Sequence, residues 1–101
     1  MIGPKKMGFW SKSRKGNAHQ FLRPSKRYRV IKSFQDHDEH IHPEGEEWIF
    51  LGYSFLPYDD GLLWFVSFDE KREWSIPMRW NDSSQSAIID RLSEYICPVV
   101  Q

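Results

Sequence analysis

The chain has 101 residues, 40% of them hydrophobic and 16% aromatic, and its fourteen bases and fourteen acids cancel to a formal charge of zero. That length suits one domain, and without any run of about 18 apolar residues a membrane-spanning helix is excluded. Cys97 is the single cysteine, which excludes an internal disulfide and a cysteine-based zinc centre.

The charge is unevenly spread. Residues 1 to 27 carry Lys5, Lys6, Lys12, Arg14, Lys15, Arg23, Lys26 and Arg27 and no acid, a charge of +8. The remaining 74 residues set six bases against fourteen acids, a charge of −8. Like charges in a short stretch repel one another and resist compaction, so residues 1–20 are expected to form a basic, flexible arm and residues 21–101 one small domain. No signal-like apolar stretch occurs in the first 15 residues, so a soluble cytoplasmic protein is expected.

Alternation of Tyr28, Val30 and Phe34 with polar neighbours predicts a half-buried first strand over 28–34. Gln35 to Gly45 is polar and rich in turn-forming residues, and reads as the longest loop of the domain. A second strand follows over 46–55, with Ile49, Leu51, Tyr53 and Phe55 on one face and Trp48 and Phe50 on the other; Gly52 predicts a bulge within it. Pro57 to Gly61 is a dense turn signal, and Leu62 to Phe68 has the continuous apolar character of a buried central strand. Asp69 to Arg72 makes a second hairpin. In the fourth strand, over 74–80, Pro77 lacks an amide hydrogen and calls for an edge, or for a position turned away from a neighbour. Asp82 and Gln85 have the spacing of a reciprocal capping box. From there Ile88, Ile89, Leu92, Tyr95 and Ile96 recur at helical spacing up to Pro98.

These elements predict an α+β, mostly β fold. A four-stranded antiparallel meander curls into an SH3-like open barrel with the C-terminal helix as its plug; a flat meander with the helix across one face is the alternative. Only about 70 residues are left for this core, a marginal size that the five Trp, seven Phe and four Tyr help to stabilise through their large buried areas.

The stretch from Phe21 to Ile96 resembles a family of small bacterial domains of unknown function. The likeness lies in Leu22, Pro24, Tyr28 and Val30, in the segment His42 to Trp48, in Phe55 to Leu62 followed by Phe65, Val66 and Ser67, and in Glu73 and Trp74. Ser25 and Glu39 depart from it, standing where glycine is expected. The resemblance implies one compact domain and no known activity.

Four groups of residues bear on chemistry. Asp36, His37, His40 and His42 crowd one loop and offer a mixed nitrogen and oxygen donor set for zinc or nickel, but they match no strong metal motif, and a solvated polar loop is the preferred reading. Asp59 and Asp60 beside Tyr58 are accounted for by the turn, with Tyr58 left over as a recognition residue or a lid on the core. Cys97 stands at a helix C-terminus, where the dipole disfavours a thiolate, and neither a nucleophile elbow nor a glycine-rich phosphate loop is present. Trp10 among Lys12, Arg14 and Lys15 joins a stacking ring to phosphate-neutralising charge.

The expected function is therefore a non-enzymatic binding module without a cofactor, one that contacts a protein partner and is modulated by its basic arm. Trp10, Lys12, Arg14, Lys15, Trp48, Tyr53, Tyr58 and Asp59 are the expected contact residues, with Trp80 a further exposed ring. An accessory role on nucleic acid, through residues 1–27, is the alternative. A metal-dependent enzyme using the loop from Asp36 to His42 comes third.

Overall fold

A computed structural model describes residues 1–56 and 60–100. Its strands are β1 (Ile2–Lys6), β2 (Arg27–Val30), β3 (Phe34–Gln35), β4 (Ile41–His42), β5 (Glu47–Leu56), β6 (Gly61–Ser67), β7 (Arg72–Arg79) and β8 (Ile96–Pro98), with one α-helix, α1 (Ser83–Asp90), between β7 and β8. Six of them form an antiparallel sheet in the order β1-β7-β6-β5-β2-β8, and β3 and β4 make a separate two-stranded ribbon. The expected meander is the run β2-β5-β6-β7 at the centre of this sheet. It is extended at both ends, so the four-stranded SH3-like barrel is corrected to an open six-stranded sheet whose outer strands are β1 and β8.

Both added strands escaped the hydrophobic pattern for physical reasons. All five residues of β1 are exposed and paired through the backbone, Ile2 opposite Ser75 and Lys6 opposite Arg72, which leaves no apolar alternation to detect. At the other end, Ile96 satisfies helical spacing and strand burial equally well. The helix stops at Asp90, a 3-10 turn spans Leu92–Glu94, and the chain then extends so that Ile96, Cys97 and Pro98 pair with Val30, Arg29 and Tyr28. The expected apolar stripe is nonetheless real, since Ile88, Ile89, Leu92 and Ile96 are all buried.

Gly52 makes the expected bulge, and the bulge changes which side chains share a face. Phe50 pairs with Val66 and Tyr53 with Trp64, so the register slips by one residue between them. Trp48, Phe50, Tyr53 and Phe55 therefore lie on one face, where strict alternation would have divided them. Under α1 this face meets Tyr28, Val30, Leu62, Trp64, Ile76 and Met78 to form the core.

The opposite face is covered by the segment expected as a free arm. Ser11–Ser13 form a 3-10 turn over the sheet, the Trp10 ring stacks on Phe65 with centroids 6.3 Å apart, and Gly16 bridges to Tyr53 on the outer edge of β5. The chain then crosses to the helical side, where Leu22 is fully buried in the core. Residues 1–27 are thus built into the domain, and the expected boundary at residue 20 does not divide two structural units.

Local signals near the helix hold in altered form. The Asp82 side chain caps α1 by accepting the Ser84 N–H at 3.0 Å. Gln85 does not return the bond: its Oε1 accepts the Arg79 N–H at 2.8 Å and its Nε2 donates to the Gln35 carbonyl at 3.2 Å, which ties the helix start to β7 and β3. Pro77 lies in an internal strand but past the end of β1, with its carbonyl accepting the His37 N–H at 2.8 Å. Ser25 and Glu39 adopt φ of 69° and 66°, the left-handed region in which glycine is at ease. No helix among the described residues is long and apolar enough to cross a membrane.

Candidate functional site

Four rings and one acidic residue, Asp60, come together at one end of the sheet. His19, Tyr53, Phe55, Asp60 and Trp80 line an open cleft of about 590 Å³. Tyr53 and Phe55 arrive from β5 because of the bulge. Trp80 follows β7 and is pinned beside Asp60 by its backbone N–H, which donates to the Asp60 backbone carbonyl at 2.9 Å. His19 comes from the basic segment, placed by the Gly16 bridge to Tyr53 on one side and by its own paired backbone bonds to Leu22 on the other.

Phe55 and His19 each meet Trp80 edge to face, and His19 is tilted against Tyr53. Phe55 and Trp80 have centroids 5.2 Å apart, and His19 lies 5.5 Å from Tyr53 and 6.3 Å from Trp80. Phe55, 38% exposed, gives the cleft an apolar lip, and Leu56 beside it in β5 is 42% exposed. Burial lowers the pKa of His19 and so favours its neutral form. The Trp64 indole N–H donates to His19 Nδ1 at 3.3 Å, so the neutral ring carries its proton on Nε2.

A second polar cluster lies around β4. His42 is fully buried, with Nε2 2.7 Å from Asp36 Oδ2 and Nδ1 2.7 Å from Glu46 Oε1. Burial alone would lower its pKa, but the two carboxylates outweigh that and raise it. Burial likewise acts to raise the pKa of Asp36, yet the bonds from His42, the Met1 amino group and the His40 N–H bring it down to about 2. Asp36 also organises its loop, its Oδ1 accepting the N–H groups of Asp38 and His40 at 2.9 and 3.1 Å. His40, His42 and Glu46 are the residues here able to hold a metal ion, their ligand atoms lying within 4.8 Å of one another.

The expected contact residues separate. Tyr53 lines the cleft, whereas Trp48 is fully buried in the core, its indole N–H without a partner among the described residues, and cannot serve as a surface ring. Trp10 is half-buried on Phe65, and Lys12, Arg14 and Lys15 are exposed around the 3-10 turn, on the face opposite α1. Tyr58 and Asp59 lie outside the described residues. Of the loop residues, Asp36, His40 and His42 come together and His37 does not, its backbone being drawn to Pro77. Sequence reasoning missed His19 and Phe55 as lining residues, and it read Glu46 as a surface acid beside the candidate rings and not as a partner of His42. Only Glu46 left a usable signal, standing four residues after His42 across a Pro-Glu-Gly turn.

An open antiparallel sheet with one covering helix and an aromatic cleft at its end defines an α+β, mostly β domain. A family model described as a domain of unknown function (DUF3601) matches residues 11–101, and the chain belongs to that family. Among solved structures, it is similar to an integron cassette protein, VCH_CASS4, from the mobile metagenome of Vibrio cholerae. That likeness has 28% identity and a TM-score of 0.77, over 82% of this chain and 91% of that one. No curated protein matches.

Proposed function

We propose that the protein is a binding module that takes a cationic side chain, lysine or arginine, of a partner protein into the cleft of His19, Tyr53, Phe55, Asp60 and Trp80. One observation carries this reading: aromatic rings from separate parts of the chain meet in an open cleft with a carboxylate among its lining residues. Ring faces attract cations through their quadrupoles, and Asp60 adds full negative charge at the same place. His19, held neutral with its proton on Nε2, supplies a donor for a backbone carbonyl of an extended peptide. The basic segment enters as a wall of the cleft, through His19, and so shapes what can bind there.

Titration of the 15N-labelled protein with short peptides that differ only in a central lysine, arginine or norleucine tests the reading, followed on the backbone N–H resonances of Tyr53 and Phe55. Saturable shifts are expected for the cationic peptides, and Trp80→Ala weakens them at least about tenfold, as truncation of a central aromatic anchor does. Equal responses to lysine and norleucine would remove the cation from the account.

A second reading rests on a different observation. None of the eight bases of residues 1–27 forms an ion pair with a described carboxylate, so their charge stays available to a polyanion such as single-stranded nucleic acid.

A further inference from the structure

We infer that His40, His42 and Glu46 form a binding site for one divalent transition-metal ion of the zinc class. One ligand atom from each side chain lies within 4.8 Å of the others. Two imidazoles and a carboxylate are a donor set that suits zinc, cobalt and nickel, whereas calcium and magnesium call for oxygen alone.

The surroundings are those of a supported ligand set. Asp36 Oδ2 sits 2.7 Å behind His42 Nε2 and turns the other ring nitrogen, Nδ1, toward Glu46. A carboxylate behind the far nitrogen is the usual means by which a metal-binding histidine is oriented. Asp36 is itself fixed by the N–H groups of Asp38 and His40, so the residue that orients one ligand also positions the backbone of the next. The turn closed by the Glu46 N–H on the Pro43 carbonyl, at 3.1 Å, returns Glu46 to His42.

His40 supplies the observation that an ion-paired histidine alone does not explain. Its ring is exposed, makes no hydrogen bond among the described residues, and stands edge-on to His42 with centroids 4.9 Å apart. Its nitrogens are free to ligate from the solvent side, while His42 and Glu46 approach from within. An entering ion takes the place of the proton that bridges His42 Nδ1 and Glu46 Oε1, and three protein ligands leave a fourth position to water.

The full chain, prepared metal-free and without a histidine tag, is titrated with Co2+ by visible absorption and then with Zn2+ in competition. One saturable site with the intense bands of four-coordinate cobalt is expected, emptied by one equivalent of zinc. His40→Ala and Glu46→Gln weaken zinc at least about tenfold with an unchanged far-ultraviolet circular dichroism spectrum, and His37→Ala, in the same loop but outside the cluster, leaves affinity unaltered. Absence of a saturable cobalt signal up to millimolar metal overturns the assignment, as does unchanged affinity in His40→Ala. Peptide binding at the aromatic cleft plays no part in the readout, so either proposal can fail without the other.

Discussion

Glu73 gathers four hydrogen bonds on one buried carboxylate. Fully buried on the face opposite α1, its carboxylate accepts the N–H groups of Gly8 at 3.0 Å, Ser11 at 2.9 Å and Trp10, together with the Ser11 hydroxyl at 2.7 Å. Burial acts to raise its pKa, but these donors prevail and lower it below the ordinary value of 4.5. A carboxylate whose pKa is depressed by folding contributes its full stability above the unfolded value and loses it as pH falls through the folded one. Glu73→Gln turns an amide N–H toward a nest of donors and should cost about 2 kcal/mol at pH 7, on the scale of hydrogen bonds to a charged group. Urea unfolding at a series of pH values between neutral and acid checks this: the wild type loses stability on acidification, and the gap to the variant narrows as Glu73 protonates. A gap that stays constant would assign the loss to packing instead. In the sequence Glu73 stood only as a member of a family-like motif, because its partners lie more than sixty residues away and all but the Ser11 hydroxyl are backbone groups, which carry no residue-type signal.

At the scale of elements, the bulge in β5 decides where the cleft forms. By slipping the register it brings Tyr53 and Phe55 onto the face of Trp48 and Phe50, and it requires φ of 146° at Gly52. A Cβ at this position would lie 2.2 Å from Arg14 Cδ and 3.0 Å from the Gly16 carbonyl oxygen. The arginine can swing aside, but the backbone carbonyl cannot, since Gly16 is held by its bridge to Tyr53. Gly52→Ala should therefore cost at least about 2 kcal/mol by chemical denaturation, and adding Arg14→Ala should restore little of it; full recovery in the double variant would place the conflict in the side chain alone. The sequence announced this bulge through Gly52, as it announced the four central strands, because glycine, proline and two-residue alternation act locally. It could not announce the regrouping of the aromatics, which follows from register and not from composition. β1 and the end of the helix stayed hidden for related reasons: one is made of exposed residues, and the other satisfies two periodicities at once.

For the whole molecule, the opposed charges of the two chain segments were plain from the sequence, but their geometry was not. The basic segment runs along one sheet edge as β1, covers the face opposite α1, then crosses to build one side of the aromatic cleft. Its aromatic and apolar residues hold it there: Trp10 on Phe65, His19 against Tyr53 and Trp64, and Leu22 in the core. The bases are carried along and, apart from the half-buried Arg27, left exposed, which is why charge pattern suggested an arm while burial made a cover. Lys12, Arg14 and Lys15 remain together on that cover, and they set what the nucleic-acid reading must deliver. Three contacts to single-stranded phosphate give a slope of about −2 in log affinity against log salt. Binding of an oligonucleotide measured from about 50 to 300 mM salt should follow that slope, and replacement of all three residues by alanine should flatten it, with no preference among base sequences, because these cations read phosphate and not base edges. A salt response near zero in the intact protein would mean that the fourteen acids cancel the local field, and would leave the aromatic cleft as the better-supported place for a partner.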